Sequence, residues 1–415
     1  MDRRPSSLRI GLVIAAATSG LVVATVLAES KVHDWPQFRG PNRDGISLET
    51  GLAVTWPEQG PREIWRVKLG GGYSGLSVHR GRIYTLYSSG SGEFAAAIDA
   101  TTGETTWRVR TDSNRRDNHG DGPRSTPTVS GGIVYALGAR GTLHALKADN
   151  GEAVWSRDLR EEYGAKPPRW GVSMSPLVEG NLLLVDVGGS DGSSIVAFDK
   201  KTGEEVWRAF DDKPGYSTPI AVTVGGVRQV LFFTARNLLG VAPADGTILW
   251  RIPWKTSYGV NAAAPVFIAP NRFFVSSGYD VGGAVYEIKV DGDSVAVEVV
   301  WKNREMKNQF SSSILLDGHL YGFDDKTLKC IDATTGERRW SERGLGHGSL
   351  TYADGHLIVL GDRGTLALVE AKPDAYREKS RTKVFASKTW TVPTFVGGRL
   401  YLRDQNELVA LDVAR

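Results

Sequence analysis

Residues 99–107 read DATTGETTW and residues 332–340 read DATTGERRW, so seven of nine letters recur across more than two hundred residues of chain. The phrase belongs to a series. Aligned on the closing Trp, Ala97–Trp107 reads AIDATTGETTW, Ala145–Trp155 ALKADNGEAVW, Ala197–Trp207 AFDKKTGEEVW and Val241–Trp250 VAPADGTILW. Trp301 ends a degenerate copy, Trp340 ends a clean one, and an earlier Trp65 sits in REIWRVKL. From Trp65 onward the intervals are 42, 48, 52, 43, 51 and 39 residues, and Phe385 is expected at the next Trp position. A period of roughly forty to fifty residues marks one supersecondary unit copied around an array.

Each interval shares a grammar. A small-residue start such as Ser125-Thr126-Pro127 or Thr218-Pro219 precedes a few apolar residues, and then a turn such as Gly131-Gly132 or Asp354-Gly355. An alternating segment follows, for example IVYALG or HLYGFD, then a third such as TLHALK, and the phrase leads into a fourth that ends near Trp. Four short strands with turn residues between them, and no sustained helical period, read as a blade. One Trp per blade makes the whole an all-β propeller of four-stranded antiparallel blades. In the phrase, Asp and Thr bond their own backbone and Gly supplies a positive φ. Trp65, Trp107, Trp155, Trp207, Trp250, Trp301 and Trp340 then read as wedges between blades. Each indole buries about 150–250 Å², or roughly 4–6 kcal/mol at most. Packing alone accounts for such a repeat.

The series from Trp107 to Phe385 closes seven blades. The C-terminal stretch TVPTFVGGRLYLRDQNELVALDV supplies only three strands, and REIWRVKL supplies one strand without a blade of its own. Joined, they make an eighth blade that clasps the two ends of the chain. Residues 29–415 then give about 48 residues per blade. The expected organisation is residues 1–28 as a signal peptide, 29–60 as an irregular segment and 61–415 as the propeller. The first segment has Arg3, Arg4 and Arg9, an apolar run from Ile10 to Leu27, and small residues before a cleavage point at Ala28. The alternative is an uncleaved anchor. Export points to a periplasmic or secreted protein. The single cysteine, Cys330, cannot form a disulfide within the chain and reads as a small core hydrophobe.

The pattern A-x-D-x-x-T-G-x-x-x-W resembles the tryptophan-docking repeat of quinoprotein dehydrogenases, which also builds the cofactor-free outer-membrane assembly lipoprotein BamB. WPQFRGPNRDG (35–45), GDGPRSTPTV (120–129) and WGVSMSPLV (170–178) resemble a family of secreted bacterial propellers with pyrroloquinoline-quinone (PQQ)-like repeats. The resemblance implies the eight-bladed fold. It also implies two functional readings: a non-catalytic scaffold that binds a protein or peptide of the cell envelope, and a PQQ-dependent alcohol or sugar dehydrogenase. In the quinone-binding class the cofactor lies over a Trp beneath a disulfide of adjacent cysteines, beside a calcium ion. Here adjacent cysteines do not exist. Carboxylates before the inner strands are sparse (Asp117, Asp121, Asp211 and Asp212), and a hard cation wants six to eight oxygens. The scaffold without cofactor or metal is therefore the preferred reading, with PQQ plus calcium as the alternative and a polysaccharide-binding sensor as a third.

Loops that precede the inner strands of a propeller open onto one face around the channel, the default site for a ligand. They carry Asp121, Arg124, Trp170, Ser173, Tyr216, Asn261, Lys307, Asn308, His347 and Trp390, beside Tyr73, Ser74, Ser217, Tyr258 and Gln309. Arg124, Asn261, Lys307 and Trp390 are the strongest candidates for ligand contact, because long or aromatic polar groups there have few core duties. The set suits a small polar ligand or a peptide strand, and no catalytic residue is assigned. Asp117 to Asp121 (DNHGD) reads as a hydrated loop rather than a metal site. GLGHGS (344–349) has glycines but no following helix, and nucleophile-elbow, zincin, P-loop and EF-hand patterns are absent. A net charge of +3 with mixed signs and no long run of like charges advertises no nucleic-acid partner, and a membrane contact is expected only if the N-terminal segment stays uncleaved. WPQFRGPNRDG is expected to form a lid over the eighth blade, with a partner-binding segment as the alternative.

Overall fold

A computed structural model describes Met1 and residues 34–292 and 294–415. The expected signal segment falls outside the described residues, as does nearly all of the separate unit Met1–Val32. The unit His33–Arg415 is built from eight four-stranded antiparallel sheets. Blades 1 to 7 span residues 77–113, 128–158, 177–209, 220–253, 266–303, 314–342 and 349–383 in chain order. The eighth takes three strands from 394–412 and its outer strand from Arg62–Lys68, so the N-terminal strand closes the ring against the last strand, with Trp65 opposite Ala410. Among the described residues, helix is confined to the five residues Leu159–Tyr163, capped by the Asp158 carboxylate, and a three-residue turn at Ser257–Gly259.

The phrase folds by local chemistry. Asp99 Oδ1 accepts from the Thr101 and Thr102 amides, Thr102 Oγ1 accepts from Glu104, and Gly103 at φ 79° returns its amide to Asp99 O. Asp199 and Asp332 head the same turn. A β-bulge falls next to Trp: Ala97 pairs with Trp107, but Ile98 pairs with Thr105. The bulge re-aims the indole out of the sheet's own face. It lands on the turn of the next blade. Trp65 donates to Ala100 O, Trp107 to Ala148 O, Trp155 to Lys200 O, Trp207 to Pro243 O, Trp301 to Ala333 O and Trp340 to Lys372 O. The same rings cover the turn glycines: a Cβ on Gly103, Gly151, Gly203 or Gly246 would lie 2.5–2.8 Å from the indole above it.

Two departures follow from the same rule. Blade 5 has no phrase between its outer strands, so Trp250 has no turn to cover; its Nε1 donates to Gln229 within its own blade and its ring stacks on Phe273 at 5.4 Å. In blade 7 the register places Ser380 opposite Leu368 beside the bulge, where the other blades have Trp. Phe385, expected at that position, lies beyond the strand in the core between blades 7 and 8. The reason is topological. The next outer pair joins the two chain ends and has no connecting turn, so an indole would have nothing to cover. Trp56 packs there instead, its amide bonded to Ser380 Oγ.

Near the axis, blades are stitched by the Ser and Thr of their small-residue starts. Thr128 Oγ1 donates to Pro176 O, Ser217 Oγ to Ala263 O, Thr351 Oγ1 to Pro393 O and Thr394 Oγ1 to Leu76 O. Gly75, Thr126, Ser175 and Ala264 amides donate to hydroxyls of the next blade. Burying a hydroxyl demands a partner, and here the partner is the neighbouring blade.

The WPQFRGPNRDG stretch is not a lid over the eighth blade. It crosses the ring. Trp35 pairs with Val78 of blade 1, Pro36 O accepts from Val129 of blade 2, Arg43 reaches Pro176 O ahead of blade 3, Arg39 reaches Ser313 O ahead of blade 6, and Ile46 pairs with Tyr352 of blade 7. Its Trp35 shares a core cluster with Val396 and Tyr401 of blade 8, and its continuation pairs there, Leu52 with Ala414, while Glu49 accepts from Gly397 and Gly398. The segment plugs the channel.

Candidate functional site

The loops that start the inner strands surround a cup of about 380 Å³. Its wall is mostly rings. Trp390 packs on Phe310 at 4.7 Å and on Tyr73 at 5.0 Å; Trp170 meets Tyr216 at 6.0 Å and, edge-on, Tyr258 at 6.1 Å. His119 bridges the two Trp residues at 5.9 and 6.3 Å, and His347 lies 5.7 Å from Phe310. Phe38 of the plug, with Val260, Ala262 and Val392, completes an apolar interior.

Cations sit on these rings. Arg124 lies over Tyr73 at 5.6 Å, Arg169 over Trp170 and Tyr258 at 5.3 Å each, and Lys388 over Trp390 at 4.3 Å. Arg124 is anchored by Gly122 O at 2.6 Å and Gly120 O at 3.0 Å, with Asp117 at 3.8 Å; burial pulls its pKa below the usual guanidinium value, and Asp117 opposes that. Burial likewise pushes the Tyr73 phenol up to about 12, so it stays a donor, spent on His119 O. One buried donor of the cup lining is free: Trp390 Nε1 has no partner among the described residues. None of the lining residues is acidic, and none is a cysteine.

The structure brings together only part of the sequence-derived set. Arg124, Trp170, Ser173, Tyr216, His347 and Trp390 line the cup, with Tyr73 and Gln309. Ser173 Oγ is held by Tyr216 O. Tyr258 stands at the rim, 67% exposed. Asp121 lies in a polar groove beside the cup and accepts from the Asp117 amide. Lys307 lies in a second groove, among Asp280, Asp324 and Asp325 at 3.3–3.7 Å. Asn261 and Asn308 are fully buried away from the cup. Asn261 Nδ2 donates to Thr234 O and its Oδ1 accepts from Ser277, while Asn308 Nδ2 donates to Phe323 O and its Oδ1 accepts from Ser313. Ser74 and Ser217 are buried and bonded to backbone carbonyls. Sequence reasoning missed Phe38, Tyr279 and Phe310. Phe310 directly follows the Lys307–Gln309 window, but nothing local distinguishes Phe38 from a loop residue.

The described residues of the cup offer no calcium site. A hard cation needs clustered carboxylate oxygens, and this lining offers guanidinium, imidazole and amide instead. Among the described residues no group of three acidic, His or Cys side chains could hold a metal. The arrangement suits a flat or apolar group pressed between rings, oriented by an acceptor on Trp390 Nε1.

A family model described as outer membrane protein assembly factor BamB matches residues 90–342 and 324–415. BamB of Burkholderia pseudomallei is 24% identical over 309 residues, 64% of this chain and 75% of its own length. Among solved structures, BamB from Moraxella catarrhalis aligns with a TM-score of 0.61 at 14% identity, over 84% of this chain and 96% of that one. The quinohemoprotein alcohol dehydrogenase ADHIIG of Pseudomonas putida aligns with a TM-score of 0.64 at 13% identity, over 92% of this chain and 80% of that one. At these identities both structural likenesses bear on fold.

Proposed function

We infer function from one premise: the chain belongs to the family described as outer membrane protein assembly factor BamB. On that premise the protein is a periplasmic or secreted propeller, delivered by its N-terminal segment, that binds a protein or peptide of the cell envelope without a cofactor. The observation that carries the binding reading is the ring-lined cup with its free Trp390 Nε1. Such a cup takes an apolar or aromatic peptide side chain, while the free indole donor takes a backbone carbonyl. The polar grooves on either side share Tyr73 and His119, and Gln309 and His347, with the cup, and give flanking residues somewhere to lie.

The test is a titration of the full chain with immobilised peptides drawn from envelope proteins. Aromatic-containing peptides bind, and Trp390→Ala weakens them at least tenfold while leaving the circular dichroism spectrum unchanged. Binding that ignores Trp390 and Trp170 overturns the assignment to the cup. Quinone-dependent oxidation is the second reading, favoured only by the shared fold of the alcohol dehydrogenase. Dye reduction on adding quinone and calcium, across alcohols and sugars, would establish it. A glycan array separates the polysaccharide reading from both.

A further inference from the structure

We propose that the axial channel holds a small inorganic anion at each of two free guanidinium edges, that of Arg39 and that of Arg43. Both residues belong to the plug, and both are at least nine-tenths buried, at 4% and 5% exposed. Arg39 uses Nη2 on Asp44 O and Ser313 O, each at 2.6 Å, which leaves Nε and Nη1 without a partner. Arg43 uses Nε on Gln37 Oε1 at 3.1 Å and Nη2 on Pro176 O at 2.8 Å, which leaves Nη1. No carboxylate forms an ion pair with either among the described residues. The nearest candidate, Asp44, spends Oδ1 on the Ile46 amide.

Two buried guanidiniums, with three unpartnered nitrogen atoms between them, are costly unless an acceptor arrives at each. Burial lowers their pKa values, to about 10 for Arg39 and about 9 for Arg43, yet both stay charged at neutral pH.

The fold itself supplies a control. Arg403 is also fully buried without an acidic ion-pair partner among the described residues, and it is satisfied by carbonyls and a hydroxyl: Nη1 donates to Ser74 O, Thr85 Oγ1 and Leu86 O, and Nη2 to Gly70 O. A purely structural arginine here leaves no free edge. Arg39 and Arg43 do, and each holds a left-handed backbone, at φ 62° and 59°, that Gly would adopt without strain. Long cationic side chains at two strained positions make sense if their heads are needed in the channel. A halide or a small oxyanion meets planar N–H edges of this kind.

The experiment uses the full chain. Crystals grown in sodium bromide are to show an anomalous peak within hydrogen-bonding reach of Arg39 Nε or Nη1, or of Arg43 Nη1; crystals grown in phosphate show tetrahedral density there if the site prefers oxyanions. In solution, replacing gluconate by bromide at constant ionic strength raises Tm saturably, and Arg43→Met abolishes the rise. Ordered water alone at these atoms, or bromide at surface arginines only, overturns the proposal. If Arg43→Met fails to fold, the bromide map decides by itself.

Discussion

At the scale of single residues, burial sets the chemistry. Asp186, at the end of the second strand of blade 3, is 3% exposed; its Oδ2 accepts from Gly215 and its Oδ1 has no partner. Burial, and then the charge of Asp212, pushes its carboxyl up from 3.8 to about 8, against the opposing Gly215 amide. Between those values the native chain holds a proton that the unfolded chain has released. Its contribution to stability is therefore greatest below pH 4 and is lost as pH rises towards 8. Asp186→Asn accordingly raises Tm more at pH 8.5 than at pH 5, and a pH series of melting curves on both proteins checks it. Nothing in the local sequence VDVGG announces this. A carboxylate at a strand end reads as solvated until the neighbouring loop is seen to cover it.

At the scale of the element, the turn and the wedge are one device. Gly192 and Gly203 both have φ near 75°, but a Cβ on Gly192 meets nothing within 4 Å, whereas on Gly203 it meets the Trp155 ring at 2.6 Å. Gly192→Ala is expected to cost about 1 kcal/mol, the price of a left-handed backbone. Gly203→Ala costs more than that, because the indole must also move. Trp107→Ala removes the wedge itself and costs about 3–5 kcal/mol. Urea denaturation of the three variants orders them. This device was legible beforehand: the phrase, its period and the strand count are written contiguously. The missing wedge of blade 7 was misplaced at Phe385 because the bulge register, which selects Ser380, depends on pairing and not on spacing.

For the whole molecule, closure decides stability. The ring is sealed by Arg62–Lys68 on Glu407–Asp412 and by Arg403, which ties blade 8 to the carbonyls of Gly70, Ser74 and Leu86. Arg403→Met strips those carbonyls of their donor. It is expected to cost about 3 kcal/mol, in the range for breaking a buried charged network. Hydrogen exchange is to show the amides of Arg62–Lys68 losing protection before those of blades 3 to 5, since the seam opens first. Uniform loss of protection would place the weak point elsewhere. The plug works at this same scale. It ties blades 1, 2, 3, 6 and 7 across the axis and lends Phe38 to the cup.

By itself, the chain's order of residues determined the blade, the number of blades and the strand that joins the two ends. Turn chemistry and packing between adjacent repeats act over short stretches and leave a period that can be counted. Only the tertiary structure decided which side chains share the cup. Tyr73, Trp170, Phe310 and Trp390 come from blades far apart in the chain and meet because eight loops converge on one axis. Asn261 and Asn308, alike in type and position, turned inward instead to satisfy backbone carbonyls and hydroxyls left by those same strand ends.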